Sequence, residues 1–472
     1  MACGGSFYFC DKTRFLIMLV TTVCLSFIMS NTLALNFTIL CMAEPEVVVG
    51  NVTLIEAKYN YSSLEVSWLF SAIAIGSVVG TFFVVKFTPS LGLRNIFTLF
   101  GFVTATATVL TPLAASAGYT FLFVMRLWQG FSFAIAFPVM GVVTSHWSPI
   151  SQSGTFLTVL NCFIQFGPLF TMPVSGFFCT SSFGWTAVYY AHAVCTYAVF
   201  VVFYCIYRDQ PSLHGCVSEA ELAVIQDGKS EGHGQKQPIP FKAILTSWPI
   251  WGVWMSYFGC MVGVNLFIQF GPTYLNKVLH YNLQNTGIAG ATPYIISAIL
   301  KILAGPISDY ASCVSQKTRI IIFTFISQGV PVVCLLTLAL LPEGSNTAGF
   351  ACYLLAITAF GMTPLSSIKS GQLVASQHAH FVMAVSAFLN SLIVLLLPTM
   401  VTSLAPENTS GQWSTIFLVT GTVILVTNVF FVTVVKAEPA EWTKAPPKPP
   451  QRVFTVKESE TNLSARLDMV NL

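Results

Sequence analysis

Charge is what this sequence has least of. Of its 472 residues only 8% are Asp, Glu, Lys or Arg, against 54% apolar, where a soluble globular chain carries about a quarter charged residues. A shortage on that scale excludes an ordinary water-facing surface and points to a chain whose outside meets lipid. The formal net charge of +3 is too mild for a surface that binds nucleic acid. The thirteen cysteines include no Cys-x-x-Cys pair, so neither a zinc site nor a redox motif is indicated. Several fall inside apolar runs, where a buried, inert thiol is expected. No apolar run carries a His-x-x-x-His or paired carboxylates, so the groups a membrane-embedded enzyme would need are missing.

What the chain does have is long apolar runs, twelve of them: residues 15–41, 68–85, 96–115, 121–145, 154–178 and 185–207, then 248–270, 286–307, 320–341, 350–367, 381–404 and 413–435. Each is long enough to cross a bilayer as a helix, which takes about 20 residues. The first is too long for a signal peptide, and eleven more follow it. The expected fold is therefore all-α and membrane-spanning, with twelve transmembrane helices in two six-helix halves. The expected organisation is a cytosolic N-terminus (1–14), an N-terminal half (15–207), a polar cytosolic loop (208–246), a C-terminal half (247–435) and a disordered Pro- and charge-rich cytosolic tail (436–472), which contains Ala445-Pro446-Pro447-Lys448-Pro449-Pro450.

The few basic residues set the orientation. With the N-terminus in the cytosol, seventeen of the 21 Lys and Arg fall on the cytosolic side. Lys58 and Lys277 fall outside, and Arg126 and Lys301 fall within spans. That asymmetry is the positive-inside pattern. The sequons at Asn51, Asn60 and Asn408 all lie in loops assigned to the outside, which makes them the candidate glycosylation sites.

The membrane interior thus holds two cations and no acid, since all eighteen Asp and Glu fall in loops, tails or span ends. A charge at mid-bilayer costs about 2.5–3.5 kcal/mol or more, so each cation should face a partner or a cavity. With no anionic side chain inside, an anionic substrate is the expected partner. Contact with backbone carbonyls is the rival account of Arg126. Snorkelling toward the cytosol is the rival for Lys301, which lies two turns before Asp309. Gln129 follows Arg126 by three residues, Asn161 precedes Gln165 by four and Asn265 precedes Gln269 by four. Each pair therefore shares one helix face. These amides are candidates for lining a substrate cavity or for holding helices together. Asn31 and Asn36 of the first run read as roughly aligned. His146, His378 and His380 fall at span ends, which disfavours direct proton coupling.

Several short motifs occur in order: Arg126-Leu-Trp-Gln-Gly130, Phe137-Pro138, His146-Trp147-Ser148-Pro149, Pro173-Val-Ser-Gly176, Gly184-Trp185-Thr-Ala-Val-Tyr189-Tyr190, Pro211-Ser-Leu-His214 with Val217-Ser218-Glu219, and Gly305-Pro-Ile-Ser-Asp309. Together they resemble the anion/cation symporter family of the major facilitator superfamily, which includes sialin, the type I sodium–phosphate cotransporters and the vesicular glutamate transporters. The resemblance runs from the first span to the twelfth. It implies two halves rocking around a midplane site, and it gives Arg126 the role of the fourth-span arginine at the anion site. There are departures. The family's acidic residue seven positions later is Phe133 here, its first-span arginine has no match near Thr32 or Ala34, and Cys260 aligns with the seventh-span arginine of the glutamate carriers. The first-half loop motif survives only as Lys86…Gly92-Leu-Arg94, and Lys301 stands where the family has an uncharged residue. Glutamate specificity is therefore not implied.

The resulting expectation is a secondary active transporter of an organic anion or inorganic phosphate, not an enzyme. Its substrate site would draw on Arg126, Gln129, Lys301, Asn161, Gln165, Asn265 and Gln269. It would need no bound cofactor or metal; a coupling ion, sodium or a proton, would take that place. The expected partners are a small anion and membrane lipid, not nucleic acid, and the chain is expected to be a monomer in the plasma membrane or a vesicular or lysosomal membrane. A non-transporting sensor or scaffold that keeps the fold is the alternative.

Overall fold

An apolar run in lipid has no water to bond its peptide groups, so it must close its own hydrogen bonds as a helix. The computed structural model describes residues 11–42, 59, 61–149, 152–227, 240–310 and 314–443, and no strand occurs among them. Eleven of its helices are long and apolar enough to span a membrane. The N-terminal half is α1 (Thr13–Met42), α2 (Ser63–Thr88), α3 (Ser90–Ala117), α4 (Tyr119–Trp147), α5 (Ser153–Thr180) and α6 (Thr186–Ile206). The C-terminal half is α7 (Trp248–Val278), α8 (Leu283–Tyr310), α9 (Gln316–Leu340), α10, α11 (Phe381–Leu404) and α12 (Ser410–Val434). α10 is a broken span, Asn346–Phe360 followed by Thr363–Ala375 and bent by 42°. The sequence reading took 350–367 as one continuous span, although Pro364 stands at the bend.

The halves meet chiefly along two helix pairs. α2 lies on α11, where Ser67 and Thr399 hydroxyls are 3.2 Å apart and the Ser71 hydroxyl donates to the Leu395 carbonyl at 2.7 Å. α5 lies on α8, where two glycines let the backbones touch. A Cβ on Gly287 would sit 2.6 Å from the Met172 carbonyl oxygen and 3.1 Å from the Gly176 Cα. All these contacts are at the end of the bundle away from most of the Lys and Arg. At that same end Cys41 and Cys179 form a disulfide joining α1 to α5. The sequence reading treated such cysteines as inert thiols. It missed the bond because a sequence separation of 138 gives no spacing cue.

At the basic end the stretch after α6 is clamped onto the N-terminal half. The helix Glu219–Gln226 brings Glu221 under the start of α1, where it accepts from the backbone N–H groups of Thr13 (3.2 Å) and Arg14 (2.9 Å). Those donors have no intrahelical partner, and a carboxylate suits the positive end of the helix dipole. Asp209 accepts from Arg94 N at 3.0 Å, and Gly92, at φ 76°, lies so close that a Cβ would meet Asp209 Oδ2 at 2.6 Å. That is a physical need for the glycine in the eroded Gly92-Leu-Arg94 motif. The far part of the loop belongs to the other half: Ile244 is buried there and the Phe241 ring packs on Phe381.

The tail departs from expectation. Residues 436–443 are ordered against the C-terminal half, with Ala440 N donating to Val374 O at 3.0 Å and Ser370 Oγ donating to Lys436 O at 2.9 Å. Trp442 lies in the apolar cluster there, which is why the chain follows the surface past α12. The Pro-rich remainder, 444–472, lies outside the described residues.

Candidate functional site

Arg126 is 1% exposed in the middle of the N-terminal half. The Cβ direction of α4 aims it at α1 and α2. Its Nη1 donates to Thr32 O and to Gln129 Oε1, both at 2.8 Å; its Nε donates to Leu69 O at 3.2 Å and its Nη2 to Asn36 Oδ1 at 3.4 Å. Gln129 in turn donates to Thr108 Oγ1 at 3.1 Å. Four neutral oxygens therefore orient the fork, and no carboxylate is among its partners. The i, i+3 pairing of Arg126 with Gln129 follows directly from spacing. The two backbone carbonyls could not be read from sequence, because any residue supplies one.

Asn36 shares this cluster but Asn31 does not. Asn31 Nδ2 points to Thr196 (3.1 Å) and Thr104 (3.5 Å) on α6 and α3. Five residues on a helix turn through about 140° beyond a full circle, so the alignment read from sequence is lost.

Lys301 forms a second, separate cluster. Its Nζ donates to Asn161 Oδ1 at 2.6 Å, Asn161 O at 3.2 Å and Gln165 Oε1 at 3.4 Å. It is 4% exposed and does not snorkel. The bond crosses from α8 to α5 and so from one half to the other. Asn161 and Gln165 share a face as their spacing implies, and Lys301 is what that face meets.

The α7 pair divides. Asn265 Nδ2 donates to Met261 O at 2.8 Å and to Asn390 Oδ1 on α11 at 2.9 Å. Gln269 is buried, yet neither its Oε1 nor its Nε2 has a hydrogen-bond partner. Leaving a buried amide unmatched costs about 1–3 kcal/mol. It lies beside Phe270, whose ring packs on Phe70 of α2 at 5.3 Å, next to the Leu69 carbonyl that holds Arg126.

Sequence reasoning overlooked His192. It is fully buried in α6, with Nδ1 on Val188 O at 2.7 Å and Nε2 on Thr171 Oγ1 at 3.4 Å. Thr171 also meets the Ser30 hydroxyl at 2.5 Å. A single imidazole in an apolar run leaves no spacing pattern. Among the described residues no group of three His, Cys, Asp or Glu could hold a metal ion.

Asn408 lies in the turn before α12 at φ 54°, its Oδ1 accepting from Trp413 Nε1 at 3.2 Å. Asn51 and Asn60 lie outside the described residues. A cavity of ≈ 320 Å³ opens beside Asn408, lined in part by Tyr274, Lys277, Glu343, Glu407 and Trp413. It contains none of the buried polar clusters above and is a surface feature of one half.

Residues 15–398 match the family profile of the Major Facilitator Superfamily. Among curated proteins the chain is similar to sialin of Ovis aries, 24% identical over 82% of this chain and 78% of that one. It is also similar to sodium-dependent phosphate transport protein 1 of Oryctolagus cuniculus, 23% identical over 91% and 95%. Among solved structures it superposes on a proton:xylose symporter bound to 6-bromo-6-deoxy-D-glucose, with TM-score 0.66 and 15% identity over 90% of this chain and 97% of that one. A bacterial homolog of the human lysosomal transporter Spinster, inward-facing and occupied, gives TM-score 0.63 and 11% identity over 90% and 97%.

Proposed function

The chain belongs to the Major Facilitator Superfamily, and we propose that it is a secondary active transporter of a small anion, an organic anion or inorganic phosphate, working by alternating access. It is an integral multi-pass protein of the plasma membrane or a lysosomal or vesicular membrane. The similarity to sialin and to a sodium-dependent phosphate transport protein supports the anionic class. In this fold the halves rock about a site near midplane, and here they meet through α2–α11 and α5–α8.

One observation carries the assignment of the site. Arg126 is buried with neutral partners only, so its charge is oriented but not compensated. A carboxylate or phosphate reaching it from between the halves supplies the missing charge, and a guanidinium can grip either with two parallel bonds. Gln129 holds the fork. Gln269, with both amide atoms unmatched, offers the opposite half a donor and an acceptor for the same ligand, and Asn265 stands one turn away on that face. Lys301 with Asn161 and Gln165 forms the polar contact that must part when the basic end opens.

The test is uptake of labelled phosphate and of organic anions into proteoliposomes. Arg126→Lys should insert and fold while lowering kcat/KM by roughly tenfold or more, because one charge-assisted hydrogen bond is worth about 1.5–3 kcal/mol. Wild-type uptake by a correctly inserted Arg126→Ala protein would remove Arg126 from the site.

A further inference from the structure

Lys301 sits at a fault in α5. In a regular helix the Gln165 N–H would donate to the Asn161 carbonyl. Here Gln165 N donates to Cys162 O at 2.9 Å, and Asn161 O keeps only a long bond from Ile164 N at 3.4 Å. The first segment of α5, Ser153–Leu160, ends at Asn161. The negative end of its dipole and a nearly free carbonyl therefore face the same point. Asn161 Oδ1 and Gln165 Oε1 converge there too, and the Lys301 ammonium takes all three oxygens. An ammonium has three N–H donors, and each has found one oxygen.

That donor set, a carbonyl released by a helix break plus neutral side-chain oxygens, is how discontinuous membrane helices hold a monovalent cation. Carboxylates are absent from it, which suits a singly charged guest. We infer that the Asn161–Gln165 fault is a monovalent-cation site occupied by a tethered ammonium: Lys301 is a built-in cation on one half, seated in an oxygen cage on the other. An ion that never dissociates from the chain cannot be driven by its own gradient. Transport is therefore indifferent to sodium at this point, in contrast to what is said of the sodium-dependent relative. Deleting the amine while leaving the cage intact creates a site for a free cation.

This deepens the transport reading by fixing where coupling to sodium is lost, and it rests on that reading only for uptake. The cation measurement does not. The full-length protein is purified in detergent, and its thermal midpoint is measured in ammonium, sodium or choline chloride at equal ionic strength. Wild type should show the same midpoint in all three. Lys301→Ala and Lys301→Ser, either of which opens the cage, should unfold several degrees lower in choline and recover saturably with ammonium or sodium. Lys301→Met, whose stem fills the approach without a charge, should not respond. The inference is overturned if wild type responds to sodium as the variants do. It is equally overturned if neither opened variant folds or gains stability with any of these cations. A cation response in protein that takes up no anion would sink the transport reading alone.

Discussion

Two buried cations, in a bundle whose spans carry Asp and Glu only at their ends, are held by different means. Arg126 draws on backbone carbonyls of α1 and α2, and Lys301 on a helix fault across the interface. Which residues to watch was legible from charge scarcity and from i, i+3 and i, i+4 spacing. What they touch was not, because Thr32 O and Leu69 O are backbone atoms 94 and 57 residues away. Gln269 is the residue whose environment favours change most. Gln269→Met keeps the volume and removes an unmatched amide, so stability should rise by about 1–3 kcal/mol while anion uptake falls. That is the trade expected where a site is built at the expense of packing. Thermal unfolding and uptake measured on the same preparation decide it; a destabilised variant would mean that the amide is satisfied in solution.

At the scale of elements, the twelve spans were legible because lipid demands long apolar helices and nothing else. The breaks were not placed from sequence, although two have a proline to explain them: α10 breaks at Gly361 just before Pro364, and α4 at Ala134, whose carbonyl loses its helical donor to Pro138. α5 faults at Asn161 with no proline beside it. Close helix crossing was half legible: Gly176 stood out in the sequence, whereas its counterpart Gly287 is defined only by the fold. Gly287→Val should force α5 and α8 apart, at about 1–3 kcal/mol of overpacking. That biases the protein toward the state open at the disulfide-bearing end. A cysteine introduced along α8 near Gly290 should label faster with an aqueous maleimide in the Val background than in wild type, and an equal rate would contradict the crossing's role as a gate.

The clamp after α6 is a second element-level device, and it contains a titrating group. His214 Nδ1 accepts from Cys216 N at 3.2 Å, and its ring packs edge-on to Trp147 at 5.6 Å. Burial pushes the imidazole down from its ordinary value of 6.5, and Arg208 adds to this; backbone hydrogen bonding and Glu221 oppose it. A lowered folded value means the unfolded clamp binds protons more readily. Its stabilisation is therefore complete above the ordinary value and is lost as pH falls through the lower folded one. Protection factors of the amides in residues 211–227, corrected for the pH dependence of intrinsic exchange, should fall on acidification from neutral pH, and His214→Gln should flatten that dependence. An unchanged acid response in the variant would assign it to another group.

Across the whole molecule, three independent features mark the same end as facing away from the cytosol. Most Lys and Arg gather at the opposite end, and the Asn408 sequon lies at this one. The Cys41–Cys179 bond also lies here, and disulfides persist on the oxidising side of a membrane. Only the first two were legible in the sequence; the third needed the fold to bring α1 and α5 together. The bond and the charge bias have unrelated physical causes, since one reflects redox compartment and the other insertion, so their agreement is a real constraint. In sealed, right-side-out cells, a membrane-impermeant phosphine followed by an impermeant maleimide should label two cysteines that resist labelling without reduction. Cys41→Ser with Cys179→Ser should abolish that signal. A C-terminal glycosylatable tag should stay unmodified in the same cells. Closing a loop of 138 residues removes more unfolded-state freedom than a short one, so the double variant should also lose about 2–4 kcal/mol of stability. Glycosylation of the C-terminal tag would invert the orientation, and with it the side from which the anion reaches Arg126; labelling that needs permeabilised cells with an unmodified tag would place the protein in an internal membrane.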